Sequence, residues 1–73
     1  MSNEKRAMQP YQQRVIEEKT ELDDKINKLS YFRVSGEMSK ISDDERHLLN
    51  LQHHAMTTYS HVLALLIKSF NAP

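Results

Sequence analysis

Apolar side chains recur at helical intervals from Tyr11 onward. The first run shows spacings of four, seven, four and three residues, at Tyr11, Val15, Leu22, Ile26 and Leu29. Such spacings place side chains on one face of an α-helix. Proline is favoured at the first helical position, where it loses no hydrogen bond. We therefore predict a first helix from Pro10 to about Arg33.

A second apolar pattern follows Ser42. Ser42 with Glu45 three residues later makes a capping box, in which each side chain bonds the other residue's backbone amide. We predict a second helix from about Ser42 to Phe70. Alternating spacings of three and four residues favour a seam that faces the first helix. The predicted seam consists of Leu49, Gln52, Met56, Tyr59, Leu63, Leu66 and Phe70.

The segment between the two helices is short. Gly36 is the only glycine, and we expect it in the left-handed conformation that ends many helices. A connector that ends near Ile41 makes the helices antiparallel neighbours. The predicted fold is all-α, an antiparallel two-helix hairpin that forms a single domain over residues 10–73. Residues 1–9 are polar and lack an apolar period, so we expect a flexible tail there.

Another apolar stripe lies about 100 degrees around the second helix. Its members are Leu48, Leu51, Ala55, Val62 and Leu65. A lone hairpin would leave this stripe in water, and a chain of this size has little core of its own. We expect the hairpins to assemble through the second helix into a helical-bundle homo-oligomer. The alternative is a first helix broad enough to cover both stripes.

Composition narrows the class of protein. The chain of 73 residues has no cysteine, and its ten basic residues balance ten acidic ones. Proteins that wrap long nucleic acid usually carry a basic excess, so we expect no such partner. The most apolar run, Val62 to Ile67, is far shorter than the roughly 20 residues that cross a bilayer. We expect a soluble cytoplasmic protein with no membrane partner.

Candidate catalytic and metal-binding residues do not converge. His47, His54 and His61 recur every seven residues, which is about 10 Å along a helix. One metal ion cannot bridge that gap within a helix, so a metal site would need several chains. We expect an exposed or interface-edge stripe, whose charging in mild acid would loosen an oligomer. No nucleophile, base and orienting group form a recognisable set, so we expect no enzymatic activity, cofactor or metal.

Aromatic and basic residues near the start of the first helix form another candidate site. In an antiparallel hairpin, Tyr11 and Arg14 approach the end that carries Lys68 and Phe70. An aromatic ring can stack on a base, and a guanidinium can bind a phosphate with two hydrogen bonds. The residues alone leave two interpretations open. Either Tyr11 packs on the hairpin and Arg14 is solvated, or both contact an anionic ligand.

The chain resembles a group of small phage proteins from Pro10 to Phe70. The resemblance is carried by PYQQRVIEEKTELDDKINKL over residues 10–29, DERHLLNLQ over 44–52 and MTTYSHVL over 56–63. These segments are similar to the helical-hairpin domain of phage anti-defence sponges. Members of that family counter the CBASS and Thoeris immune systems of bacteria. They assemble, often as hexamers, and sequester cyclic nucleotide signals without cleaving them.

The resemblance also implies ligand-binding residues. The family's stacking tyrosine corresponds to Tyr11 and a basic residue beyond it to Arg14, while a lysine further along corresponds to Lys25 or Lys28. The best-known members have Gly-Tyr-Arg at the tyrosine, where this chain has Pro10-Tyr11-Gln12. The implied function is a cytoplasmic sponge, from dimer to hexamer, for a cyclic dinucleotide or related signal in the infected host. The alternative is a small helical module that binds and modulates a host protein.

Overall fold

Two antiparallel α-helices joined by a short 3-10 helix make up the fold. The computed structural model describes residues 8–71. Helix α1 spans Pro10–Val34, the 3-10 helix spans Gly36–Lys40, and helix α2 spans Asp43–Ser69. The helices pack along their length into a rod of 56 × 16 × 16 Å. The predicted all-α hairpin is confirmed, and each helix boundary lies within one residue of its predicted position.

Both helices begin as the sequence predicts. Pro10 is the first residue of α1, and the backbone amide of Gln9 donates to Oε1 of Gln12 at 2.9 Å. At the start of α2, the amide of Glu45 donates to Oγ of Ser42 at 3.1 Å. The amide of Ser42 donates in return to Oε1 of Glu45 at 3.3 Å. Amides that lack a partner inside the helix are thus satisfied by side chains.

The expected left-handed glycine at the end of α1 is wrong. Within residues 8–71, no residue has a positive φ, and Gly36 instead opens the 3-10 helix. Helix α1 ends at an extended Ser35, whose amide and Oγ both donate to the carbonyl of Phe32, at 3.2 and 2.7 Å. Because the serine satisfies this carbonyl, the chain can leave the helix without a left-handed residue.

The predicted seam of α2 is correct at four positions and wrong at three. Leu63 is buried, and Leu49, Met56 and Phe70 are half-buried. Gln52, Tyr59 and Leu66 are exposed, and the residue after each of them is more buried: His53, Ser60 and Ile67. The physical reason at His53 and Ser60 is that α1 supplies a hydrogen-bond partner to each of these polar side chains. Ser30 bonds His53, and Asp23 bonds Ser60.

The hairpin has a very small apolar core. Among the described residues, Leu63 at 3% exposure is the only buried hydrophobic side chain, and Ser60 at 9% is the only buried polar one. The apolar stripe of α1 is only half-buried, at Val15, Leu22, Ile26, Leu29 and Phe32. In a rod only two helices thick, most side chains at the seam remain partly accessible to water.

The second apolar stripe of α2 is exposed, as the sequence predicts. Leu48, Leu51, Val62 and Leu65 keep between 49% and 61% of their surface in solvent. This finding excludes the alternative in which α1 covers both stripes. Neither helix in the described part of the chain is long and apolar enough to cross a membrane.

Candidate functional site

The start of α1 meets the end of α2 at the open end of the hairpin. The rings of Tyr11 and Phe70 pack edge to face, with centroids 5.8 Å apart and planes at 84°. Tyr11 nevertheless remains 54% exposed, and Arg14 lies exposed one turn further along α1. The expected proximity of Tyr11 and Phe70 is confirmed. The contact covers part of the Tyr11 ring and leaves about half of the residue's surface exposed.

The two candidate lysines lie far from this end. Lys25 follows Tyr11 by 14 residues in one continuous helix, a distance of about 21 Å along the axis. Lys28 lies a turn beyond and pairs with Asp24 at 3.0 Å, with both side chains largely exposed. A single copy therefore does not bring Tyr11 and either lysine onto one small ligand.

A polar layer ties the middle of the two helices together. Oδ2 of Asp23 accepts from Nζ of Lys19 at 2.7 Å, and Oδ1 accepts from Oγ of Ser60 at 2.5 Å. The hydrogen bond from Lys19, followed by that from Ser60, lowers the pKa of Asp23 below its ordinary value of 3.8. A carboxylate held ionised in this way is a poor proton donor near neutral pH, so its role is to join the helices.

Two further polar layers lie closer to the loop. Oγ of Ser30 is 2.8 Å from Nε2 of His53. Nε of Arg33 donates to Oδ1 of Asn50 at 2.9 Å. An apolar seam pattern does not predict these layers, because the residues that form them are polar. The sequence feature that indicates them is a polar residue at helical spacing on each of the two helices.

Tyr59 forms a cross-helix contact at the edge of the seam. Its hydroxyl donates to Oε2 of Glu18 at 2.5 Å. This hydrogen bond to a carboxylate raises the pKa of Tyr59 above its ordinary value of 10.0, with a smaller contribution from burial. Although the ring is 43% exposed, its hydroxyl is committed to α1. Tyr59 is therefore a weaker candidate for ligand stacking than Tyr11.

A shallow groove lies near the loop, at the opposite end of the rod from Tyr11. It has a volume of about 210 Å³ and is lined by Phe32, Ile41, Glu45, Leu48, Leu49 and Gln52. Pockets for ligands of drug size usually measure roughly 300–1,000 Å³. The groove is too small and too apolar to enclose a nucleotide by itself.

The histidine stripe does not form a metal site within one copy. His47, His54 and His61 are all exposed on α2. The described residues contain no group of three or more histidine, cysteine or carboxylate side chains placed to hold a metal ion.

These features define a small all-α hairpin protein with an aromatic and a basic side chain displayed at its open end. A family model described as Sequestin matches residues 9–65, which is most of the chain. The chain therefore belongs to the Sequestin family. Comparisons with curated proteins and with solved structures gave no match.

Proposed function

We propose that this protein is a phage-encoded anti-defence sponge that binds a cyclic nucleotide immune signal and does not cleave it. Membership of the Sequestin family over residues 9–65 is the observation that carries the proposal. The family name fits sequestration of a signal. The site of action is the cytoplasm of the infected bacterium, where such signals are made and sensed.

The open end of the hairpin supplies suitable chemistry. The exposed part of the Tyr11 ring can stack on a base, since every base presents a flat π-face. Arg14, three residues further on, can donate two hydrogen bonds to a phosphate. The packing of Tyr11 against Phe70 restrains the ring. A ring already fixed loses less conformational freedom on binding.

The site needs more than one copy of the chain. Lys25 and Lys28 lie about 21 Å or more from Tyr11 along α1. Two copies whose α1 helices lie side by side in opposite directions, centred about halfway between Tyr11 and the lysines, would bring a lysine of one close to the tyrosine of the other. A pocket of this kind has two-fold symmetry and suits a cyclic dinucleotide with two similar halves. The homo-oligomer, from dimer to hexamer, is therefore part of the proposal.

Sequestration requires affinity and abundance, not catalysis. A signal that acts at low concentration is depleted by a protein in excess whose dissociation constant lies below the signal level. Asp23, a carboxylate at the seam, is engaged by Lys19 and Ser60. The absence of enzymatic activity thus belongs to the proposed mechanism.

A thermal-shift screen with molar mass measured in parallel tests the proposal. The panel contains cyclic dinucleotides, cyclic trinucleotides and cyclised products of ADP-ribose. A ligand at 100 times its dissociation constant adds about 2.7 kcal/mol of stability, which gives a clear shift. We expect Tyr11→Ala to abolish the shift and Tyr11→Phe to retain most of it, because the ring survives.

Tyr31→Ala is the matched control. Tyr31 is an 81% exposed tyrosine near the other end of α1, and we expect its loss to leave the shift unchanged. Equal loss in Tyr11→Ala and Tyr31→Ala would contradict the assigned site. A well-formed oligomer with no shift across the panel would reject the sponge and favour a module that binds a host protein.

A further inference from the structure

The exposed stripe of α2 has the pattern of a second coiled-coil seam. Its spacing alternates three and four residues at Leu48, Leu51, Ala55, Thr58, Val62 and Leu65, all exposed. This is the heptad period by which two helices pack knobs into holes. The first seam, which contains Leu49 and Leu63, lies at least 100 degrees around the helix and packs against α1. Helix α2 can therefore contact α1 and a second helix at the same time.

We propose that this seam binds the α2 helix of a second copy in antiparallel orientation. Self-complementarity supports a copy of the same chain as the occupant. In one antiparallel register, Leu48 meets the partner's Leu65 and Leu51 meets the partner's Val62. The small residues then meet at the centre, where Ala55 faces the partner's Thr58. Large side chains fill the two ends and small ones let the backbones approach in the middle, giving a four-helix bundle.

Charge selects the antiparallel orientation. The first turn of α2 is acidic, with Asp43, Asp44 and Glu45, and its last turn carries Lys68. In an antiparallel pair the acidic turn of each copy lies beside the partner's Lys68, and the helix dipoles oppose each other favourably. In a parallel pair, six carboxylates would meet at one end. The formal net charge of zero leaves no overall repulsion between copies.

The apolar core of one hairpin is small, so burial of further apolar side chains against a second copy would stabilise the fold. Leu63 is the only buried hydrophobic side chain among the described residues. Domains of this size usually need disulfides, metal or partner chains, and the chain has no cysteine. Packing of the second seam would bury four leucine and valine side chains from each copy. The inference rests on the self-association that the proposed function includes.

Single cysteine variants test the orientation directly, because the natural chain contains no cysteine. Leu48→Cys and Leu65→Cys are purified reduced, then oxidised separately or as an equal mixture, without ligand. We expect a disulfide-linked dimer that joins one copy of each variant in the mixture. We expect no such dimer in either separate sample, because two copies of Leu48 would lie about 26 Å apart. A disulfide needs α-carbons within about 7 Å.

Other outcomes overturn the inference. Cross-linking of each variant with itself would mean a parallel pair, and no cross-link in any sample would mean that this face is not an interface. Leu51→Cys mixed with Val62→Cys repeats the test one layer further in, in case cysteine at the ends of the seam weakens assembly. Glu17→Cys mixed with Asp24→Cys on exposed α1 measures random collision.

The outcome is separable from that of the ligand screen. Cross-linking is measured on the free protein and reports only the α2 interface. A thermal shift with a ligand, together with no cross-link at α2, would support the proposed function and reject this interface. Cross-linking of α2 together with no thermal shift for any nucleotide of the panel would keep the interface and remove the proposed function.

Discussion

Asp23 shows how individual polar residues hold the two helices in register. Its carboxylate accepts from Lys19 on the same helix and from Ser60 on the other. A shift of one residue along α2 would break the bond to Ser60. Such directional contacts specify one packing where apolar contacts alone tolerate several.

The Asp23 carboxylate should make stability fall in acid. Its pKa is lowered in the folded protein from an ordinary value of 3.8. The stabilisation is thus present above pH 3.8 and is lost as the pH falls through the folded value. We expect Asp23→Asn to lower the free energy of unfolding at pH 7 and to flatten its fall below pH 4. Urea unfolding at pH 7, 4 and 3 measures both effects.

The neighbouring Asp24 provides the control for this prediction. Asp24 pairs with Lys28 on the same helix, and both side chains are largely exposed. Surface pairs of this kind contribute about 0–1 kcal/mol. A loss of stability in Asp24→Asn as large as in Asp23→Asn would show that the cross-helix bond to Ser60 is unimportant.

Leu63 is the residue whose truncation should most affect the hairpin. It is 3% exposed, and leucine-to-alanine changes in a core cost about 2–5 kcal/mol. We expect Leu63→Ala to lower the midpoint of thermal unfolding strongly. Leu65→Ala, two residues later and 55% exposed in the hairpin, should mainly raise the dissociation constant of the oligomer. Unfolding measured over a range of protein concentrations separates the two effects, and equal, concentration-independent losses would contradict this assignment.

At the scale of the elements, local signals gave the helices and missed part of their packing. Pro10 and the Ser42–Glu45 capping box mark the helix starts, because these residue types satisfy amides within one turn. The orientation of α2 depends on groups distant in sequence. The placement of His53 and Ser60 in the seam follows from Ser30 and Asp23 on α1, 23 and 37 residues away.

The conformation of Gly36 in the loop predicts that alanine is tolerated there, whereas a left-handed glycine would not tolerate it. Gly36 has no positive φ, and a Cβ added there would meet nothing within 4 Å. We expect Gly36→Ala to be neutral or to stabilise by about 0.4–1 kcal/mol, because alanine restricts the unfolded chain. Chemical unfolding measures the change. A clear destabilisation would mean that the glycine is left-handed in solution.

Ser42→Ala is the reference for that measurement. The Ser42 hydroxyl caps α2, and loss of such a cap costs about 1 kcal/mol. Gly36 is the first residue of the 3-10 helix and Ser42 follows two residues after its end, and we expect the two substitutions to change stability by different amounts. Equal losses of stability in Gly36→Ala and Ser42→Ala would contradict the loop conformation given above.

At the scale of the whole molecule, the sequence predicts the hairpin and the exposed second stripe. It cannot place Tyr11 and the lysines on one ligand, because that depends on how copies assemble. Within one hairpin these residues lie about 21 Å or more apart. The small core, the exposed α2 face and the incomplete ligand site all favour an assembly of several chains as the functional unit.

The most direct test of sequestration is a catch-and-release experiment. The protein is mixed with a limiting amount of a cyclic nucleotide that gave a thermal shift, and the free nucleotide is measured by chromatography before and after heat denaturation. We expect the free nucleotide to disappear on mixing and to return in full, chemically unchanged, after denaturation. Recovery of a linear or otherwise altered nucleotide would establish cleavage and contradict the account, as would free nucleotide that never falls.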